Sequence, residues 1–548
     1  MSNRARRFSR VAFGVLCTLC VMLTVSAAQQ WNKSQGWGEY PQSSVDAARF
    51  LEYSTWGPTS ESIVHLQQVG YSRFLDEQFE APISSYQDFP IVPNTRPDDC
   101  TGVCQRDNYT VYPLQTRFYT NALYGSDQLR QRVAFALHQL IVVSAVDIPI
   151  PGRLAPYLKI LDNRAFGNFR DLLYDITLNP AMGNYLDMAG NRAATAANPA
   201  GPNENYAREV LQLFSIGLTQ LNQDGTPVGG QSVPTYDQET VNAFARVFTG
   251  WNFAANPAPG TTNYFVPMVA TQSQHDVRAK TLLQGVTLPA NQTAAKDLSD
   301  GLDNIFNHPS VGPFIGKQLI QHLVTSNPSS AYVQRVAAVF ANNGRGVRGD
   351  LRAVVRAILL DHEAHAYAAP PDFSKGHLKH PILLVTNLLR ALNVKSADGQ
   401  GLSDGYLNPQ NQAMGMVLFA PPSVFSYFSP STGIPGGLRG PEFGTLNTST
   451  AISRANFVNT MVFSRIAVNA NFAPTGTSLD FSSLQPLASN PEQLVLTLNT
   501  LMMSGRMSTA TFDSIVAAVR AVASTNSLKR VQTAVYLIAT SAQYQVSR

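Results

Sequence analysis

Charge is scarce in this sequence: 14% of its 548 residues are Asp, Glu, Lys or Arg, while 44% are hydrophobic. A chain so composed is neither disordered nor fibrous, and it can bury a large core of roughly two to four folding units. Neither sign of charge prevails. The formal net charge of +4 comes from Arg4, Arg6, Arg7 and Arg10, and the remainder holds 36 basic and 36 acidic residues. Without a basic surplus there is no argument for nucleic acid or an anionic membrane as a partner. Strand-like alternation is scarce, which leaves little room for a sheet. Also missing are a Gly-x-Ser-x-Gly elbow, a phosphate-binding Gly-rich loop ending in Lys-Ser or Lys-Thr, and a dinucleotide fingerprint after a strand. Their absence argues against a serine hydrolase, an ATPase and a nicotinamide dehydrogenase, so no nucleotide cofactor is expected.

Long apolar runs are nearly absent too. The uncharged run from Val11 to Val25 follows four arginines and leads into Ser26, Ala27 and Ala28, the layout of a secretory signal peptide cut after Ala27 or Ala28. Its fifteen residues are short for a membrane span, so no stable membrane insertion is expected after cleavage. The pair Arg6 and Arg7 leaves twin-arginine export open beside the general secretory route, although Phe8 fits that motif poorly. The mature chain is expected in the periplasm or outside the cell. Of four cysteines, Cys100 and Cys104 lie in the mature part, in "PDDCTGVCQRDNY". In an oxidising compartment they are expected to form a local disulfide, since two ligands are too few for a metal site.

What the sequence does have is helical periodicity. "VDAARFLEYSTWGPTSESIVHLQQVGYSRFLDEQF" (45–79) reads as two amphipathic helices split by a Gly-Pro turn, with Thr59 or Ser60 capping the second. "SDQLRQRVAFALHQLIVVS" (126–144) reads as a central core helix capped by Ser126 or Asp127. Further helical signals run from about 156 to 178, 204 to 216, 237 to 248, 293 to 307, 311 to 324, 331 to 342, 349 to 362 and 380 to 391, with a final group beyond 490. One short hairpin is expected within 279–290. Long Pro/Gly/Asn-rich connections, such as 189–203, 253–275 and 429–450, are expected to be ordered loops. The fold class is mainly α. We divide the chain into a signal peptide (1–28), an N-terminal extension (29–44), a main helical domain (45–400) and a C-terminal helical part (401–548) packed on the same body.

Several local signatures occur in a recognisable order: "AARFLEYSTWGPTSESI", "LRQRVAFALHQLIVVS", "NENYAREVLQLFSIGL", "ARVFTGW", "HDVRAKTLL", "HPSVGPFIGKQLIQHLV", "GDLRAVVRAILLDHEA", "HPILLVTNLLRAL" and "FAPPSVFSYFSP". Over about 47–545 the chain resembles the bacterial family known as domain of unknown function 1800. The resemblance implies an exported, largely helical protein and no established reaction. It also implies a partner protein from the domain of unknown function 1501 family, whose members are often encoded beside it.

In the signature "GPNENYAREVLQLFSIGL" (201–218), Pro202 ends any earlier helix, Asn203 is a good N-cap and Gly217 a good stop. At 100° per residue Tyr206, Val210, Leu211, Leu213 and Phe214 share one half of the helix, and Glu204, Asn205, Arg208, Glu209 and Gln212 the other. This polar arc is what a surface helix presents, with Glu204 and Arg208 an ordinary i,i+4 pair. It is also a candidate site. Asn205 and Glu209 are i,i+4 neighbours able to offer oxygens to one divalent cation, together with Asp187 from "NYLDMAGNR" and His275 from "HDVRAKTLL". In that reading Glu209, or His275 with Asp276, is the general base, and Arg208 and Lys280 stabilise developing negative charge. Asn203, Glu204 and Trp251 of "FTGWNF" would contact substrate. His362 and His365 in "LLDHEAHAY", and His377 and His380 in "GHLKHP", lack the zincin spacing and are weaker zinc candidates. The functional expectation is a hydrolase assisted by one divalent metal ion, with a non-catalytic envelope binding protein as the alternative, docking through "FAPPSVFSYF".

Overall fold

The computed structural model describes residues 40, 41, 43–195, 199, 201–365 and 375–547, so the expected signal peptide and most of the extension to 44 lie outside it. Among the described residues the fold is mainly α, 53% helical in 22 helices, with strands confined to short two-stranded ladders. One of these is the anticipated hairpin, with Lys280 opposite Leu288 and Thr281 opposite Thr287.

The apolar spacing visible in the sequence is the spacing that buries each helix. In Leu351–Leu360, residues Leu351, Val354, Val355, Ile358 and Leu359 are buried, while Arg352 and Arg356 turn outward to Glu80 and Asp76. Thr59 opens the helix Ser60–Glu80 with a reciprocal capping box: its hydroxyl accepts from the Ser62 N–H at 3.1 Å, and the Ser62 hydroxyl accepts from the Thr59 N–H at 2.8 Å. The helical signal at 156–178 resolves into two helices, Pro151–Arg164 and Phe169–Thr177, because Asn168 starts a new one by accepting from the Arg170 N–H at 2.9 Å.

Every residue of the central helix Gln128–Leu140 is buried, and its start differs from the sequence expectation. Asp127 sits at the N-cap position without capping. Its carboxylate accepts instead from the Ser84 N–H at 2.9 Å, and Gln78 Oε1 serves the Leu129 N–H at 3.1 Å. A helix enclosed on all sides meets its terminal needs from neighbouring segments rather than from its own cap. Part of its charge is met inside, where Arg130 donates to the carbonyls of Asp162 and Phe79 at 3.1 Å each.

One contiguous core extends from Ala47 to Tyr544, and residues beyond 400, such as Phe457, Leu494 and Val535, belong to it. Distant parts of the chain also meet at a buried ionic knot. Glu52 of the helix Ser44–Ser54 pairs with Lys379 at 3.0 Å and Arg506 at 2.8 Å, and accepts from the Ser547 hydroxyl at 2.9 Å. Beside it Val546 and Ser547 pair in antiparallel register with Leu378 and His377. Cys100 and Cys104 are disulfide-bonded, with Cα atoms 5.2 Å apart.

Candidate functional site

The signature helix spans Asn205–Gln212. Its entry is fixed by amides: Asn191 holds the backbone N–H and carbonyl of Asn203 at 2.8 and 2.9 Å, and Asn203 Oδ1 accepts from the Asn205 N–H at 2.8 Å. Glu204, not Asn203, occupies the N-cap position, without a side-chain cap. On the outer arc Arg208 donates to Glu204 at 2.7 Å and to Gln238 at 3.1 Å, while Gln238 returns a bond to Glu204 at 2.5 Å. The bond to Arg208 holds the Glu204 carboxyl below its ordinary range. This part of the arc is a half-exposed polar clasp between two helices.

Asn205 and Glu209 part company. Asn205 donates to Asp187 at 3.4 Å near the surface, whereas Glu209 is buried with Oε2 lacking any hydrogen-bond partner. Burial raises the Glu209 carboxyl above its ordinary value, against the pull of Arg208.

His275, Asp276 and Lys280 form a separate buried ionic network. His275 has no exposed side-chain surface: Nδ1 lies 2.9 Å from the Thr249 carbonyl and Nε2 2.9 Å from Asp297. Lys280 shares that Asp297 oxygen at 2.5 Å. Asp276 is clamped by Arg246 and Arg278, which outweigh burial and hold its carboxyl far below the ordinary range. The adjacent Asp276 therefore does not orient His275, and Asp297 does. His275 is extended, so consecutive side chains point to opposite sides. Among the described residues, Asp187, Glu209 and His275 are not a group that gathers ligand atoms within 4.8 Å; the group that does is Asp361, His362 and Glu363. Its carboxylates are already held by Arg335 at 2.7 and 3.0 Å and by Lys375 at 2.9 Å. The other histidines are also engaged: His365 lies 2.6 Å from the Leu359 carbonyl, and His380 caps the helix Pro381–Ala391. Trp251 is buried in a short ladder opposite Ala270, so it offers no open stacking face.

The open chemistry lies at the other end of the signature helix. Gln212 and Leu213 form one wall of a cavity of about 560 Å³. Gly217, at φ +73°, lets the chain turn tightly over Phe314, whose ring would stand 2.6 Å from any added Cβ. The helix Val311–Leu323 lines the cavity with Phe314, Lys317, Gln318, Gln321 and His322, three and four residues apart and hence on one face. Gln139 and Leu140 close the floor, and Val424, Phe425, Ser426 and Phe428 with Arg439 and Glu442 close the far side. Ser426 is held at φ +70° and Phe419 at φ +63°, the left-handed region that costs a side-chain-bearing residue energy, so the aromatic segment is fixed by its surroundings.

The lining is under-satisfied. Gln139 Oε1, Gln318 Nε2 and Ser426 Oγ are buried without a hydrogen-bond partner. Burial lowers the His322 ring to about 4, with Glu442 pulling it up and His377 and Arg132 pushing it down, so it is neutral at pH 7. Lys317 is lowered first by burial and then by the charge of Arg439. Arg439 donates to the Ser431 carbonyl at 2.6 Å. Glu442 accepts from Ser326 at 3.4 Å and lies 3.6 Å from His377 Nδ1. Sequence reasoning passed over Lys317, Gln318 and His322, although four polar residues on one face of "PFIGKQLIQHLV" were a readable signal.

The sequence pattern of the family described as "Protein of unknown function (DUF1800)" matches residues 49–546. The chain belongs to this family. In this DUF1800 protein the signature, the "HPSVGPFIGKQLIQHLV" segment and the "FAPPSVFSYFSP" segment, which are distant in sequence, all contribute walls to one cavity. No curated protein and no solved structure matches the chain.

Proposed function

We propose that this DUF1800 protein is an exported binding protein that seats a small organic ligand in the cavity beyond Gln212. What carries the reading is a space of ligand size whose lining sets polar side chains, among them Gln139, Lys317, Gln318 and Ser426, beside apolar ones such as Phe314, Val424 and Phe428. Export is supported by the leader-like composition of the first 28 residues and by the Cys100–Cys104 bond. The test is a thermal-shift screen of small organic ligands against wild type and Gln212→Trp. Gln212 is half-buried on the wall, so the larger ring fills space with little cost to the fold. Ligands should raise the Tm of wild type and not of the variant. Equal shifts in both would overturn the proposal.

A second reading, a hydrolase, is favoured by one observation: a buried carboxyl at Glu209 with a raised pKa and an unpartnered oxygen, the condition of a general base. The proposed donors Asp187, Asn205, Glu209 and His275 do not converge, so this reading stands on Glu209 without the metal. Turnover of a chromogenic ester panel that disappears in Glu209→Gln would support it.

A further inference from the structure

The charges around the cavity define its ligand more narrowly. Among the described residues Lys317 makes no ion pair and Arg439 is bonded to a carbonyl rather than a carboxylate, and the charge of Arg439 helps to lower Lys317. Two cations repelling each other across one cavity are relieved by an anion. Glu442 lines the same cavity, and the His322 ring is neutral. The lining therefore carries one net positive charge, which suits a monoanion better than a phosphate dianion. The same lining holds the amide side chains of Gln139 and Gln318, groups that both donate and accept, the complement of an amide group. Phe314, Leu213, Val424 and Phe428 supply apolar surface on the surrounding walls.

We propose that the cavity recognises a carboxylate joined through an amide to an apolar group: the carboxylate at Lys317 and Arg439, the amide at Gln139 and Gln318, and the apolar group against the phenylalanines. This rests on the cavity being a ligand site. Two sources carry that chemistry, a free N-acylated amino acid and the C-terminal end of a short peptide.

The experiment is titration calorimetry of the full mature protein at pH 7 with four probes: N-acetyl-L-phenylalanine, its C-terminal amide, acetyl-Ala-Ala-Phe and phenyl phosphate. The free acid should bind at least about tenfold more tightly than its amide, since a charge-assisted bond is worth more than a neutral one. Lys317→Gln, folded by circular dichroism, should lose most of that preference while its affinity for the amide is unchanged. Tighter binding of acetyl-Ala-Ala-Phe than of the acetyl amino acid identifies the peptide end as the source, and the reverse identifies the small acid. The proposal is overturned if acid and amide bind equally, if phenyl phosphate binds more tightly than the acid, or if Lys317→Gln leaves the preference intact. The underlying site is tested separately: should other ligands stabilise wild type and not Gln212→Trp, the cavity stands and only this ligand class falls. Should none do so, both fall.

Discussion

Replacing Glu52 with glutamine keeps the shape of the buried knot and removes its negative charge. Lys379 has no exposed surface and Glu52 is 2% exposed, so neither Lys379 nor Arg506 gains a compensating water shell. Breaking a buried ion pair by removing one partner costs about 3–5 kcal/mol, and with two cations left facing each other the upper end applies. Unfolding entropy of about 2.1 cal/mol/K per residue, over roughly 500 residues, makes about 1 kcal/mol equivalent to about 1 °C. Calorimetry at pH 7 should therefore place the Tm of Glu52→Gln about 5 °C below wild type. The gap should depend on pH in one direction. Burial alone would raise the Glu52 carboxyl, but Arg506 and Lys379 outweigh it and hold the group well below its ordinary value of 4.5. A carboxyl depressed in the folded state stabilises fully above its unfolded value and loses that contribution as the pH falls toward the folded one. The gap should accordingly begin to narrow below about pH 5 and go on narrowing as the pH falls toward the folded value. A difference under about 1 °C at pH 7, or one that does not change with pH, would refute the reasoning.

Two further outcomes follow from other buried carboxyls. Asp162 is raised well above its ordinary value, first by burial and then by Asp127, and its Oδ2 has no partner. A carboxyl raised in the folded state favours the fold below its unfolded value and loses that contribution as the pH rises through the folded one, so Asp162→Asn should add about 1 kcal/mol at pH 7 in urea titrations and flatten the decline above pH 4. Elemental analysis of mature wild type beside Glu209→Gln should show no stoichiometric divalent metal that the variant loses. Finding one would show that Asp187, Asn205, Glu209 and His275 gather in solution as they do not here.

The helices were legible because their information is local: period 3.6 in Leu351–Leu360, a cap at Thr59, a strand-turn-strand pattern at 280–288. The candidate site was legible only in pieces. The polar arc of the signature was seen, but the sequence held no sign that Glu209 turns inward while Asn205 turns to Asp187. Adjacency in "HD" suggested that Asp276 orients His275, whereas the orienting carboxylate, Asp297, comes from a helix 22 positions on. Cavity walls drawn from Gln139, Gln212, Lys317, Ser426 and Arg439 meet only through tertiary packing, which no window of periodicity reports.

The meeting of Glu52 with Ser547 has a consequence for how the chain is made. The helix Ser44–Ser54 cannot complete its polar contacts until Val546 and Ser547 arrive, so its charged centre stays wet until those distant residues have paired. Loss of a few residues at the far end should then act like a lesion in the first helix, leaving Lys379 and Arg506 beside an acid whose remaining hydroxyl partner, Ser504, stands at 3.3 Å. Such a design holds back the sealing of the knot until Ser547 has joined the fold.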